Sequence, residues 1–145
     1  MIAYPTRKPL EIRSIQMHDV NVKTASTGAR VGLALKGIQS KDIDRGHVLS
    51  LEEMVSDELR IKCKLSPFSK GFNTGSMLHV FAGLQSSPMR VTSIAENGNM
   101  VEKASPGKEY TLQLMGTKEI SYSQSERFIL TDLDEKQRFL GFGSL

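Results

Sequence analysis

The stretch LRIKCKL (residues 59–65) alternates without a break: Leu59, Ile61, Cys63 and Leu65 are apolar, and Arg60, Lys62 and Lys64 are cationic. Successive side chains of an extended strand point to opposite faces. The pattern therefore predicts a half-buried β-strand with one wet, positively charged side. A helix would scatter the same seven residues around its circumference. The period of two recurs on either side. Tyr110, Leu112 and Leu114 alternate with Thr111 and Gln113, and Val31, Leu33 and Leu35 alternate with the small residues Gly32 and Ala34. Such alternation marks antiparallel strands that rest one face on a core.

Turn chemistry separates these runs. Asn97-Gly98 lies between apolar segments at 89–95 and 100–103, and both residues tolerate positive φ, which predicts a two-residue hairpin. Ser105-Pro106-Gly107 makes a second turn, and 132–136 forms a polar tip between 127–131 and 138–142. Along Leu10, Ile12, Ile15 and Met17 the apolar phase slips by one residue near Ser14, as a β-bulge would produce. In RVGLALKGIQSKDIDRGHVLS (30–50), Val31, Leu33 and Leu35 are expected to fill a barrel interior while Gly32 and Ala34 keep the other face shallow. Gly37 ends that strand, Ile43 plugs one end, and Gly46 permits the reversal into His47-Val48-Leu49.

Helix signal is confined to 40–45, with Ser40 as the cap, and to 51–57. The latter reads equally as an acidic linker through Glu52, Glu53, Asp57 and Glu58. A domain boundary is placed there, giving segments 1–54 and 55–145. The expected fold class is all-β, in two small antiparallel β-barrels.

With 145 residues, 39% hydrophobic and 24% charged, the chain can bury one sizeable core or two small ones. No run is long and apolar enough for a membrane span, the N-terminus lacks a signal-peptide core, and one cysteine excludes a disulfide framework. These features point to the cytoplasm and to no membrane partner. The net charge of +3 is unevenly spread: residues 1–50 hold eight Lys/Arg against four Asp/Glu, and the remainder holds eleven against twelve. A basic bias of this kind is compatible with RNA contact or with an ordinary solvated surface.

Catalytic signals are weak. Cys63 shares its face with Ile61 and Leu65, so a buried structural thiol is expected rather than a nucleophile paired with His47 or His79. Three dispersed histidines give no metal-ligand spacing, and no cofactor is expected. Phe139 and Phe142 are read as core residues in preference to a base-stacking platform. The row Arg60, Lys62 and Lys64 has two readings: phosphate contacts, or cations guarding an edge strand against aggregation. Lys70, Arg90 and Arg127 are looser candidates for RNA contact.

Two segments carry a family resemblance. Residues 14–50, with Val31-Gly32-Leu33-Ala34-Leu35-Lys36-Gly37 and Arg45-Gly46-His47-Val48-Leu49, resemble the second half of domain II of the elongation factor Tu family. Gln16 is closer to the selenocysteine-specific and archaeal-type branches. RFILTDLDEKQRFLGFGSL (127–145) is similar to the closing hairpin of domain III, and LRIKCKLSPFSKGFNTGSMLHVFAG to its opening strands. The resemblance implies a partial domain II barrel, whose unpaired edge offers a route to homodimers, followed by a domain III barrel. It implies that Gln16 and His18 lie in the pocket for the 3′ end of aminoacyl-tRNA and that the basic row meets its T stem. The family's P-loop, G-x-x-x-x-G-K-[ST], does not occur in the sequence, and neither do its D-x-x-G and N-K-x-D elements.

The expected function is therefore non-catalytic binding of aminoacyl-tRNA, and of the ribosome, with GTP hydrolysis in a GTPase domain supplied elsewhere. The alternative is a protein-interaction module that docks on a GTPase domain, the ribosome or itself.

Overall fold

Strands supply nearly all the regular structure of the chain, and the computed structural model describes every residue, Met1–Leu145. Two units are formed, Met1–Glu52 and Glu53–Leu145.

The first unit holds β1 (Ile2–Tyr4), β2 (Lys8–Pro9), β3 (Glu11–Met17), β4 (Val20–Val22), β5 (Gly32–Lys36) and β6 (Val48–Ser50). They make two antiparallel three-stranded sheets, β2-β1-β6 and β4-β3-β5. The pairing of β3 with β5 shifts between Ile12 and Ser14, the bulge that the apolar phase slip anticipates. Strands β3 and β4 turn on His18 and Asp19, both left-handed, between the paired residues Met17 and Val20. Gly37 and Gly46 have positive φ at the two reversals.

Two expectations are corrected here. The 3₁₀ turn Ser40–Asp42 is capped by Gln39, not by Ser40: the Gln39 N–H donates to Asp42 Oδ2 at 3.2 Å. Lys8 Nζ donates to Asp42 Oδ1 at 2.6 Å. First the Lys8 hydrogen bond, then the Gln39 amide, hold the Asp42 carboxyl below its ordinary range. The second correction concerns the interior. Only Ala3, Tyr4 and Leu10 are buried apolar residues in this unit, Ile43 is half-buried, and Leu33 is 38% exposed. Two short sheets with open edges have no enclosed volume for Val31, Leu33 and Leu35 to fill.

The second unit is a closed barrel. Its strands are β7 (Met54–Leu65), β8 (Phe72–Asn73), β9 (Met77–Ala82), β10 (Gln85–Glu96), β11 (Asn99–Val101), β12 (Lys103–Ala104), β13 (Glu109–Tyr122), β14 (Phe128–Thr131) and β15 (Phe139–Ser144). Hydrogen-bonded neighbours run β10-β13-β7-β15-β14-β9, and β9 pairs again with β10 to complete the circuit. Asn97 and Gly98, both at positive φ, turn β10 into β11 as their chemistry predicts. Inward residues of β7, Leu59, Ile61, Cys63 and Leu65, join Leu78, Val80, Met89, Val91, Ile94, Leu112, Leu114, Phe128, Leu130 and Leu140 in one core. Burial of an aliphatic side chain contributes about 1.5–3 kcal/mol, so the alternation first seen in 59–65 is the source of much of the stability. Gln85, buried at the barrel end, keeps all its bonds: it donates to the Ser121 carbonyl and hydroxyl, and its Oε1 accepts from the Ser121 N–H, each at 2.9 Å.

The reading of 51–57 as helix or linker is overturned for its second half. Met54, Val55 and Ser56 already pair with Tyr122, Ser121 and Ile120 as the start of β7. An edge position is overturned for residues 62–65 of β7, which lie between β13 and β15 with a ladder on each side. Lys62 and Lys64 therefore guard no open edge, whereas Arg60 is paired through β13 alone.

Closure between β15 and β7 needs glycine. A Cβ at Gly141 would enter the Lys64 carbonyl oxygen, and one at Gly143 would lie 2.8 Å from the Lys62 carbonyl oxygen. Gly141→Ala is accordingly expected to destabilise the barrel by about 3 kcal/mol, through overpacking against backbone that cannot yield. A shift in the urea midpoint measures it; an unchanged midpoint would show that β15 can retreat without loss.

Cys63 is buried as expected, and burial pushes its thiol from 9.0 up to about 12. The folded state thus keeps a proton that the unfolded chain releases above pH 9, so this contribution to stability is present below pH 9 and falls as pH rises from there towards 12. Cys63 is expected to resist a thiol reagent at pH 8 in the native protein and to react fully in denaturant. Cys63→Ala should flatten the loss of stability above pH 9; reaction of the native thiol at the denatured rate would contradict the buried assignment.

Candidate nucleic-acid interface

On a strand whose alternate residues fill a core, the others must face water. Arg60, Lys62 and Lys64 therefore stand in line on the outside of β7, about 7 Å apart at two strand rises each. The neighbouring strands decide what surrounds them. Lys62 is opposite Thr111 on β13 and Ser144 on β15, Lys64 is opposite Glu109 and Phe142, and Arg60 is opposite Gln113. None of Arg60, Lys62 and Lys64 is held in an ion pair, whereas Lys70 and Lys108 are bound to Glu135 at 2.9 Å and Glu96 at 3.3 Å.

Arg127 reaches the same region from the residue before β14, its guanidinium 5.7 Å from the centre of the Phe142 ring. Together Lys62, Lys64, Arg127 and Phe142 line a groove of about 450 Å³, to which Asn97 and Gly98 of the β10–β11 hairpin also contribute. One carboxylate, Glu109, lies in it. The groove has the composition of a site for anionic, partly planar ligands: unneutralised cations for charge and an aromatic face for stacking.

Phe142 is 42% exposed and Phe139 39%, so the reading of both as core residues is corrected. The reason lies in β15 itself: Leu130 pairs with Gly141 and Thr131 with Phe139, so Leu140 is an extra residue that shifts the phase, and Leu140, Gly141 and Gly143 take the buried positions. Apolar identity alone pointed Phe142 inward. The flanking glycines, placed where the strand meets β7, were the signal that the ring belongs outside.

The other sequence candidates do not line the groove. Arg90 donates to the Gly75 carbonyl at 3.0 Å and ties the turn that precedes β9. Lys70 is engaged by Glu135 on the surface. Gln16 and His18 belong to the first unit and take different roles there. Gln16 faces water from β3 and donates through Nε2 to Asn21 Oδ1 at 3.0 Å, with Gly32 opposite it on β5. His18 sits at the tip of the two-residue turn with φ 49° and is exposed.

Comparison with known proteins extends these observations. No family model matches the chain. An uncharacterized protein of Methanocaldococcus jannaschii, MJ0325, is 38% identical over 144 residues, covering 98% of this chain and 42% of that protein. Elongation factor 1-alpha of Sulfurisphaera tokodaii is 34% identical over 61 residues, 40% of this chain and 14% of that factor. Among solved structures, translation elongation factor SelB from Methanococcus maripaludis in its apo form superposes over 98% of the chain with a TM-score of 0.79 at 22% identity. The same factor in complex with the GTP analogue GppNHp gives 0.78. The chain spans 34% of the SelB polypeptide, less than half of MJ0325, and a still smaller part of elongation factor 1-alpha. In fold along nearly its whole length, and in sequence over about two fifths of it, the chain is similar to the translational elongation factors SelB and elongation factor 1-alpha, as its resemblance to the elongation factor Tu family implies.

Proposed function

We propose that the chain is a non-catalytic RNA-holding part of a translation-factor-like protein. It binds the acceptor end and T stem of an aminoacyl-tRNA and works with the ribosome in the cytoplasm, while GTP hydrolysis resides in a GTPase domain supplied elsewhere. The observation that carries this reading is the line of unpaired cations, Arg60, Lys62 and Lys64, fixed on the outside of a closed barrel. Phosphate contacts require charge held at a set spacing and little else, and release of counterions from the RNA supplies the affinity. At Lys62 and Lys64 the strand is paired on both sides, so its backbone loses little further freedom when these side chains engage a ligand. In the first unit, His18 is presented at a hairpin tip and Gln16 beside the small residue Gly32, an arrangement suited to a terminal adenine.

A second reading, a protein-interaction module that docks on a GTPase domain or on a second copy, is favoured by one feature. The open sheets of the first unit expose Val20, at 62%, together with Leu33 and Val48. Unpaired edges and apolar surface of this kind invite strand addition.

Titration with aminoacylated tRNA at several salt concentrations separates the two. Binding is expected at low salt, with log K falling linearly in log salt. Joint charge reversal by Arg60→Glu, Lys62→Glu and Lys64→Glu should weaken it at least about tenfold and lower the salt slope by roughly one for each phosphate no longer neutralised. A folded chain that binds no tRNA at low salt, yet self-associates, would overturn the RNA reading in favour of the interaction module.

A further inference from the structure

A duplex arm needs only the cations of β7, yet the same face carries more than cations. Across the barrel one register runs Glu109, Lys64, Phe142, Ile129 and Phe81, on β13, β7, β15, β14 and β9. Charge passes directly into an aromatic and aliphatic band. Phe142 lies at the junction, two-fifths exposed in a strand whose inward positions are filled by Leu140 and two glycines. A large ring two-fifths exposed on a paired strand, opposite Lys64 and lining a groove with Lys62, presents an aromatic face to any ligand that enters.

We infer that this groove is a stacking site for an unpaired nucleobase, with the Phe142 ring as platform and Lys62 and Lys64 as holders of the adjoining phosphates. The inference rests on the RNA reading of this face and adds a single-stranded element to it. Three observations carry it. The groove, at about 450 Å³, has room for a planar base with its sugar. The Arg127 guanidinium lies over the ring at 5.7 Å, so that face already accommodates a planar group. Arg127 is exposed and in no ion pair, so a base arriving at the ring can turn it aside towards a phosphate.

The walls set the orientation. Gly98 presents no side chain, and a Cβ there would meet nothing within 4 Å, so a sugar can pass the hairpin closely. Asn97 supplies an amide and Glu109 a carboxylate at the base edge. A carboxylate accepts from an exocyclic amino group, which suits an amino-bearing base such as cytosine, and the cations Lys62, Lys64 and Arg127 are left for the phosphates. Stacking on an aromatic ring with cations alongside is the general means of holding single strands.

The experiment uses the full chain, a short single-stranded oligocytidylate and a blunt RNA duplex at one moderate salt concentration. Phe142→Ala is expected to weaken the single strand about tenfold and to leave duplex affinity within about twofold, whereas Lys62→Glu with Lys64→Glu weakens both. The chain has no tryptophan, so Phe142→Trp places one reporter in the groove, and its emission should be quenched by the single strand and not by the duplex. If Phe142→Ala weakens neither RNA or both alike, or if the tryptophan is unaffected, the stacking site is overturned; loss on the lysine reversals would then leave the phosphate reading standing. Failure of the unaltered chain to bind either RNA would overturn the RNA reading and this inference with it.

Discussion

The close approach of β15 to β7 is the constraint on which the rest depends. Where Gly141 and Gly143 lie over the Lys64 and Lys62 carbonyls, even a methyl group would collide with backbone. That approach joins the C-terminal hairpin to the first strand of the unit and turns a row of strands into a closed circuit. Closing the circuit removes most of the free edge, so the inward side chains share one core and the outward ones stand at set places on a stiff surface. Buried polar side chains are few, Gln85 foremost, and their hydrogen bonds are complete.

The candidate interface is a by-product of the same closure. Because the two strands pair, Lys64 faces Phe142 and Lys62 faces Ser144. Because β14 follows on the other side, Arg127 is delivered to the ring. Each of these residues is ordinary in its own segment. Their convergence turns a solvated strand face into a groove with charge on one side and an aromatic surface on the other. Arg90 and Lys70, equally basic, are spent on a turn carbonyl and on Glu135, which separates candidates that composition treats alike.

The first unit shows the opposite regime. Its sheets have three strands each, its buried apolar set is three residues, and Leu33 and Val20 face water. Local order there rests on turn chemistry and on the Lys8–Asp42–Gln39 bridge rather than on a core. Surfaces with open edges and exposed apolar side chains gain most from a partner.

Features under local control are legible in the linear chain. The alternation of 59–65, the Asn97-Gly98 hairpin, the bulge near Ser14, the reversals at Gly37 and Gly46 and the buried thiol of Cys63 all follow from the period of the strand and the φ preferences of single residues. The cations of β7 were legible as a wet face for the same reason. Features that depend on pairing between distant segments emerge with the folded chain. Such pairing placed residues 62–65 of β7 inside the sheet rather than at an edge, drew Met54 to Asp57 into a strand, and put Phe139 and Phe142 outside. It also selected Arg127 over Lys70 and Arg90 as the third cation of the groove. Residues 64 and 142 are far apart in the chain, and no local preference records that they meet. The glycines that permit their meeting act only against the backbone of the strand beside them.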